Sequence, residues 1–146
     1  MFSSTWYFKT EMEEPKEKVW NFFQKNDNLV AITGFPKIEL EGDRTVYEGA
    51  QIVLHMNFYL FKLRWEGAIV ERQEGAYFID EGRKLPFPFR SWRHTHAFKE
   101  TAEGKTRMID RVEFSSWLPA PLIKLMLAGM FSDRKRQLRM YFKHVN

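Results

Sequence analysis

Between Gln51 and Phe114 the chain alternates between apolar and polar residues over long stretches. That alternation restricts its architecture more than any other feature. Successive side chains of a strand point to opposite faces, so the pattern demands a meandering antiparallel sheet with one packed and one wet face. Ile52, Leu54, Met56, Phe58 and Leu60 share one face, with Gln51, His55 and Asn57 on the other. Leu63, Trp65, Gly67 and Ile69 alternate with Arg64, Glu66, Ala68 and Val70, and a shorter strand is expected over 76–81. Gly42-Asp43 and Glu74-Gly75 have turn chemistry. Lys84 to Phe89 carries two prolines, which disfavour a central strand, and reads as an apolar loop packed over something. Phe2 to Lys9, rich in aromatic residues, reads as a first strand.

Helical signals bracket this region. Glu13-Glu14-Pro15 is a helix start, Val19, Trp20, Phe22 and Phe23 give that helix an apolar side, and Asn26-Asp27-Asn28 breaks it. Leu29 to Ile32 makes a second short helix, ended by Gly34-Phe35-Pro36. From Pro119 to Val145 the chain reads as one long helix, with prolines tolerated at its start. Leu122, Leu125, Met126, Gly129 and Met130, continued by Tyr141, Phe142 and Val145, form the stripe expected to face the sheet. Ile123, Leu127 and Phe131 are then left for a pocket lip, a dimer contact or a membrane-docking surface.

At 146 residues, 44% of them hydrophobic, the chain forms a single domain over 1–146, large enough for a core and a cavity. The 14 Phe and 5 Trp suit either. Without cysteine there are no disulfides, thiolate nucleophiles or Cys-type zinc sites. The N-terminus does not read as a signal peptide and no apolar run has spanning length, so a cytoplasmic location is expected. Arg134, Lys135, Arg136, Arg139 and Lys143 concentrate the basic charge on the last helix. They read as a solvated helical face, with a lipid surface as the other option and no nucleic acid expected. GxSxG, P-loop, GxGxxG and HExxH patterns are missing, so no cofactor is expected and an enzyme is the less favoured class.

One strand carries polar groups on an apolar face. Trp92, His94, His96 and Phe98 point the same way. A three-residue loop at Ala102-Glu103-Gly104 sets Phe98 opposite Met108, His96 opposite Asp110, His94 opposite Val112 and Trp92 opposite Phe114. The His96–Asp110 pair then admits three roles: a buried pair fixing the sheet register, a polar anchor for a ligand, or a general acid/base couple. His94, His96 and Asp110 lack a convincing fourth ligand, and no metal is expected.

Several stretches together resemble one family. They are Tyr47-Glu48-Gly49-Ala50-Gln51-Ile52, Trp65, Phe78-Ile79-Asp80-Glu81 ahead of Leu85-Pro86-Phe87-Pro88-Phe89, then Trp92 to Phe98, Gly104-Lys105-Thr106 and Asp110-Arg111-Val112-Glu113-Phe114. The chain resembles the START/Bet v 1-like (SRPBCC, polyketide cyclase-like) superfamily, in the ligand-binding branch related to cell-division-inhibitor-like proteins. That branch often has Gly-Pro-Phe before the Trp-x-His-x-His strand. Here Arg83-Lys84-Leu85 separates Gly82 from Pro86, so the rim loop differs.

The resemblance implies an α+β helix-grip fold. A curved antiparallel sheet of about six or seven strands wraps a long C-terminal helix, with two short helices after the first strand. It also implies a cavity between sheet and helix for a small hydrophobic ligand of lipid, polyketide or aromatic type. The expected lining is Leu54, Met56, Phe58, Trp65, Trp92, His94, His96, Phe98, Met108, Asp110, Val112, Phe114, Met126 and Met130. The alternatives are a cyclase, dehydratase or isomerase using His96 and Asp110, and a protein- or membrane-interaction module working through the C-terminal helix, with peripheral lipid contact. The oligomeric state is left open.

Overall fold

A computed structural model describes residues 1–145, with side chains through Lys143. The elements run β1 (Phe2–Met12), α1 (Lys16–Phe23), α2 (Asn26–Ala31), β2 (Lys37–Gly42), β3 (Gln51–Asn57), β4 (Lys62–Gln73), β5 (Tyr77–Lys84), β6 (Phe89–Ala102), β7 (Lys105–Ser116) and α3 (Ala120–Val145). The strands form one seven-stranded sheet in the order β1-β7-β6-β5-β4-β3-β2, antiparallel throughout. β1 and β2 occupy opposite edges, so α1 and α2 carry the chain across the sheet. With α3 packed against it, this is the expected helix-grip arrangement. Among the described residues no helix is long and apolar enough to cross a membrane.

The β6–β7 register is the expected one: Phe98 faces Met108, His96 faces Asp110, His94 faces Val112 and Trp92 faces Phe114. The loop differs in detail. Ala102 pairs with Lys105 and the ladder is irregular between Glu100 and Ala102. The extra residue is therefore absorbed beside a tight Glu103-Gly104 turn, with Gly104 left-handed at φ 72°.

Three expectations need correction. First, β2 is a strand where the sequence reading assigned none to 37–42: Ile38 and Leu40 alternate there with Lys37, Glu39 and Glu41. Second, β3 stops at Asn57. The Phe58 N–H donates to the Phe61 carbonyl at 2.9 Å and the Tyr59 N–H to Asn57 Oδ1 at 2.8 Å. Phe58 and Leu60 therefore lie in a tight turn rather than on the strand. Third, α3 is rotated from its expected setting. Ile123, Leu127, Phe131, Leu138 and Phe142 face the sheet, while Leu122, Leu125, Met126 and Met130 are exposed. The first half of the helix is apolar nearly all round, so both stripes have helical spacing. Seven residues beyond Met126 and Met130 stand Asp133 and Gln137, whereas seven beyond Phe131 stands Leu138. The second stripe carries one polar step, Arg134, and resumes at Leu138 and Phe142. The Val145 side chain, assigned to the first stripe, lies outside the described residues.

Two apolar clusters fill the concave face. One joins Val19, Trp20, Phe22 and Phe23 of α1 to Phe78, Phe98, Met108, Leu138 and Phe142. The other joins Val112, Phe114, Ile123, Leu127 and Phe131, with Trp6, Phe8, Phe89 and Trp92 packed against it. A layer of polar side chains lies between them along β6, β7 and α3.

Candidate functional site

Each neighbouring element contributes one step to this polar layer. On β6, His94 and His96 sit between Trp92 and Phe98; on β7, Asp110 sits between Val112 and Met108; on α3, Arg134 sits between Phe131 and Leu138. β5 adds Asp80, paired with His94 in the ladder.

The hydrogen bonds run along diagonals. His96 Nε2 lies 2.6 Å from Asp80 Oδ2, and His94 Nε2 lies 2.8 Å from Asp110 Oδ1. The directly opposed pairs are longer contacts: His94 Nδ1 is 3.8 Å from Asp80 Oδ2 and His96 Nδ1 is 3.7 Å from Asp110 Oδ1. The sequence placed His96 and Asp110 correctly opposite each other but joined the wrong side chains. An imidazole is long enough to reach the diagonal neighbour across an antiparallel ladder. The other oxygen of Asp110, Oδ2, accepts a hydrogen bond from Arg134 Nη2 at 2.6 Å, and Trp92 Nε1 donates to Asp80 Oδ1 at 3.2 Å. Arg134, read from sequence as solvated, instead lies over the Phe131 ring at 4.4 Å with its charge against Asp110.

The two imidazoles stack with centroids 3.6 Å apart, and Phe78 stacks on the far face of His96 at 4.2 Å. Burial, with the neighbouring His94, holds His96 down to about 4 against the opposing pull of both carboxylates. His96 is therefore neutral near pH 7. Its Nε2–H donates to Asp80, leaving the Nδ1 lone pair buried and, among the described residues, without a hydrogen-bond partner. Burial pushes the Asp110 carboxyl up, but the Arg134 charge and the His94 hydrogen bond outweigh it and hold the group below the ordinary carboxylate range. Asp80 is also lowered: burial opposes ionisation, and the interactions with His96, His94 and Trp92 overcome it.

A cavity of about 220 Å³ opens beside this layer, bounded by α2, the β2–β4 edge of the sheet and the first half of α3. Of the residues expected to line it, Leu54, Met56, Trp65, Trp92, His94, His96, Met126 and Met130 do. Phe98 and Met108 instead fill the cluster under α1, and Val112 and Phe114 fill the cluster under α3. Asp110, 1% exposed, is sealed behind His94 and Arg134. Phe58 stacks on Phe61 at 5.0 Å, outside the wall. The sequence reading missed Leu29, Ile32, Phe35, Ile38, Asp80, Phe89 and Arg134, all of which line the cavity. The Ile38 and Leu40 alternation gave a signal for β2. No local signal reveals that Arg134 turns inward.

Asp80, His94 and His96 bring potential metal-donor atoms within 4.8 Å of one another. The stacked rings do not suit one ion. Imidazole lone pairs lie in the ring plane, and an ion about 2.0–2.1 Å from each nitrogen must lie in both planes. Rings with centroids 3.6 Å apart and planes inclined by 25° direct those lone pairs side by side rather than toward one point.

The fold recurs in solved structures of low sequence identity. Ginseng major latex-like protein 151 from Panax ginseng is 10% identical, with a TM-score of 0.75 over 97% of this chain and 98% of that one. A START superfamily protein from Mycobacterium smegmatis is 9% identical, with a TM-score of 0.77 over 97% and 99%. The protein XoxI from Bacillus cereus is 16% identical, with a TM-score of 0.76 over 97% of each chain. These likenesses place the chain in the START/Bet v 1-like fold. No curated protein matches the sequence. A family model does match residues 66–142, more than half of the chain, and that stretch contains Asp80, both stacked histidines, Asp110 and Arg134. The protein therefore belongs to the family described as Domain of unknown function (DUF8410).

Proposed function

We propose that the protein binds a compact hydrophobic molecule in the cavity between α2, the β2–β4 edge and α3. The carrying observation is an unfilled apolar space that ends on fixed polar groups. Leu54, Met56, Met126 and Met130 wall it, and the Asp80–His96 and His94–Asp110–Arg134 contacts rigidify its end. Ligand pockets combine these two features. Methionines add walls that adapt to shape. The volume of about 220 Å³ is below the roughly 300–1,000 Å³ of common ligand pockets. A molecule of two or three rings suits it better than a diacyl lipid, which favours the aromatic or polyketide class. Asp110 does not face the cavity, so the geometry gives no support to proton transfer from Asp110 to a bound molecule.

Titration with the neutral probe N-phenyl-1-naphthylamine tests this reading. Saturable one-site fluorescence enhancement is expected in the wild type. It should weaken at least about tenfold in Leu54→Trp, which fills the cavity, while circular dichroism shows the variant folded. Failure of wild-type protein to bind this or any other apolar probe would sink the proposal.

A second reading concerns where the ligand enters. Tyr59, Leu60 and Phe61 are 79%, 94% and 55% exposed, and Phe35, at the cavity wall, stacks on Tyr59 at 5.9 Å. Tyr59 holds a left-handed backbone at φ 72°, uncommon for a bulky residue. Lys37 and Lys62 flank this apolar tip and are exposed. Aromatic groups with adjacent lysines suit an anionic lipid surface. The expected result is flotation with phosphatidylglycerol vesicles that weakens on neutral vesicles and in Leu60→Asp; equal behaviour of wild type and variant would refute it.

A further inference from the structure

Three aromatic rings meet at steep angles on one wall of the cavity. Trp65 and Trp92 are 5.0 Å apart at 90°, Trp92 and Phe89 are 5.4 Å apart at 82°, and Trp65 and Phe89 are 5.7 Å apart at 73°. All three line the cavity and all are half-buried, so parts of the rings remain open to an occupant. Aromatic faces carry negative potential, and several rings around one space attract an organic cation.

The charges beside these rings are unevenly matched. Arg134 pairs with Asp110 at 2.6 Å, and Asp133 pairs with Arg136 at 2.6 Å. Asp80 also lines the cavity. Among the described residues, its only ion-pairing neighbours are the imidazoles of His96 at 2.6 Å and His94 at 3.8 Å. His96, buried against His94, is neutral near pH 7, and the remaining hydrogen bond to Asp80 comes from the uncharged indole of Trp92. A carboxylate whose side chain is 22% exposed thus faces an apolar cavity without a lysine or arginine against it. Trp92 connects the two features: its ring belongs to the aromatic wall and its N–H orients Asp80.

We propose that the cavity selects ligands bearing a cationic nitrogen, an ammonium on a compact aromatic or aliphatic body, with Trp65, Phe89 and Trp92 around the cation and Asp80 as its counter-charge. This rests on the cavity being the ligand site and specifies the class of molecule it takes. The aromatic wall and the carboxylate act together: ring faces favour a cation over a neutral molecule of the same shape, and the carboxylate adds to that preference and penalises anions. Organic acids of the same shape are therefore disfavoured, because a ligand carboxylate would enter beside an ionised Asp80 with Arg134 already matched by Asp110.

The test is competition for bound N-phenyl-1-naphthylamine by three naphthalenes of similar shape at pH 7: 2-naphthylmethylamine, 2-naphthylmethanol and 2-naphthoate. The expected order is amine, then alcohol, then carboxylate, with the amine about tenfold tighter than the carboxylate. The amine-to-alcohol ratio should fall toward one in Asp80→Asn. Trp65→Leu supplies a second reading that leaves the imidazole pairing intact, and it should lower the same ratio. A carboxylate that binds as well as the amine overturns the charge assignment even if every probe binds. So does an amine preference that survives both substitutions. If neither the fluorescent probe nor any naphthalene binds, the cavity reading itself fails and the selectivity falls with it.

Discussion

The two sides of the concave face differ in how they are filled. Under α1, Val19, Trp20, Phe22 and Phe23 are all buried, and Trp20 meets Phe98 at 5.2 Å and Phe78 at 6.0 Å. Beside α2 no helical residue is buried, and the facing strand β3 is half-buried along nearly its whole length. The contrast follows from helix length. α1 has eight residues and presents a complete apolar side; α2 has six, under two turns, and cannot cover the sheet edge below it. The polar layer on β6, β7 and α3 lies where packed and open regions meet. Its hydrogen bonds are satisfied mainly within the protein, which lets it serve as the fixed end of a cavity.

The largest expected effect is on that boundary. Asp110→Ala leaves Arg134 and His94 without their shared carboxylate, and loss of one member of a buried pair costs about 3–5 kcal/mol. Urea denaturation measures it; a loss under about 1 kcal/mol would mean that the layer does not hold the two sides together. Truncation on either side then sharpens the contrast. Phe142→Ala, in the packed cluster, should cost about 3–5 kcal/mol, and Met130→Ala, at the exposed cavity wall, under about 1 kcal/mol. Equal losses would break the comparison.

Acid should weaken the fold through the same layer. His96 titrates at about 4 when folded against 6.5 for the ordinary side chain, so the unfolded chain binds more protons between those values. Stability therefore falls as pH drops from about 6.5 to 4, by up to roughly 3 kcal/mol, and His96→Gln should flatten that slope. The lowered carboxyls of Asp80 and Asp110 act in the same direction, but only below the ordinary carboxylate range. A pH-independent wild type over this window contradicts the buried neutral imidazole. The smallest effect is expected at the tip of the β3–β4 turn. Leu60→Asp should change stability by no more than about 0.5 kcal/mol while removing vesicle binding.

The fold was legible because strand alternation and turn chemistry are local. The Phe98–Met108 and His96–Asp110 register followed from one glycine and the need to keep apolar residues opposite apolar ones. The hydrogen bonds were not legible, because strand register fixes backbone partners and not the lean of a side chain. Asp80 sits where a strand could equally have ended in solvent, and only pairing with β6 turns it toward the histidines. Arg134 was lost with the rotation of α3. The apolar first half of that helix supports two faces, and Asp133 and Gln137 against Leu138 decide between them only when the helix is followed as a whole. The cavity was placed on too many central residues for a related reason. Met108 and Val112 share a face with Asp110, but α1 and α3 cover that part of the face completely.

Methionine methyl groups sample both regions and give the most direct test. Met56, Met126 and Met130 line the cavity, while Met12 and Met108 lie in the packed cluster. In protein labelled with ¹³C at its methionine methyls, titration with 2-naphthylmethanol should shift Met56, Met126 and Met130 together and saturably, leaving Met12 and Met108 in place. Saturable shifts centred on Met12 and Met108, or none at the three cavity methionines when the molecule binds, would contradict an open half that holds the ligand.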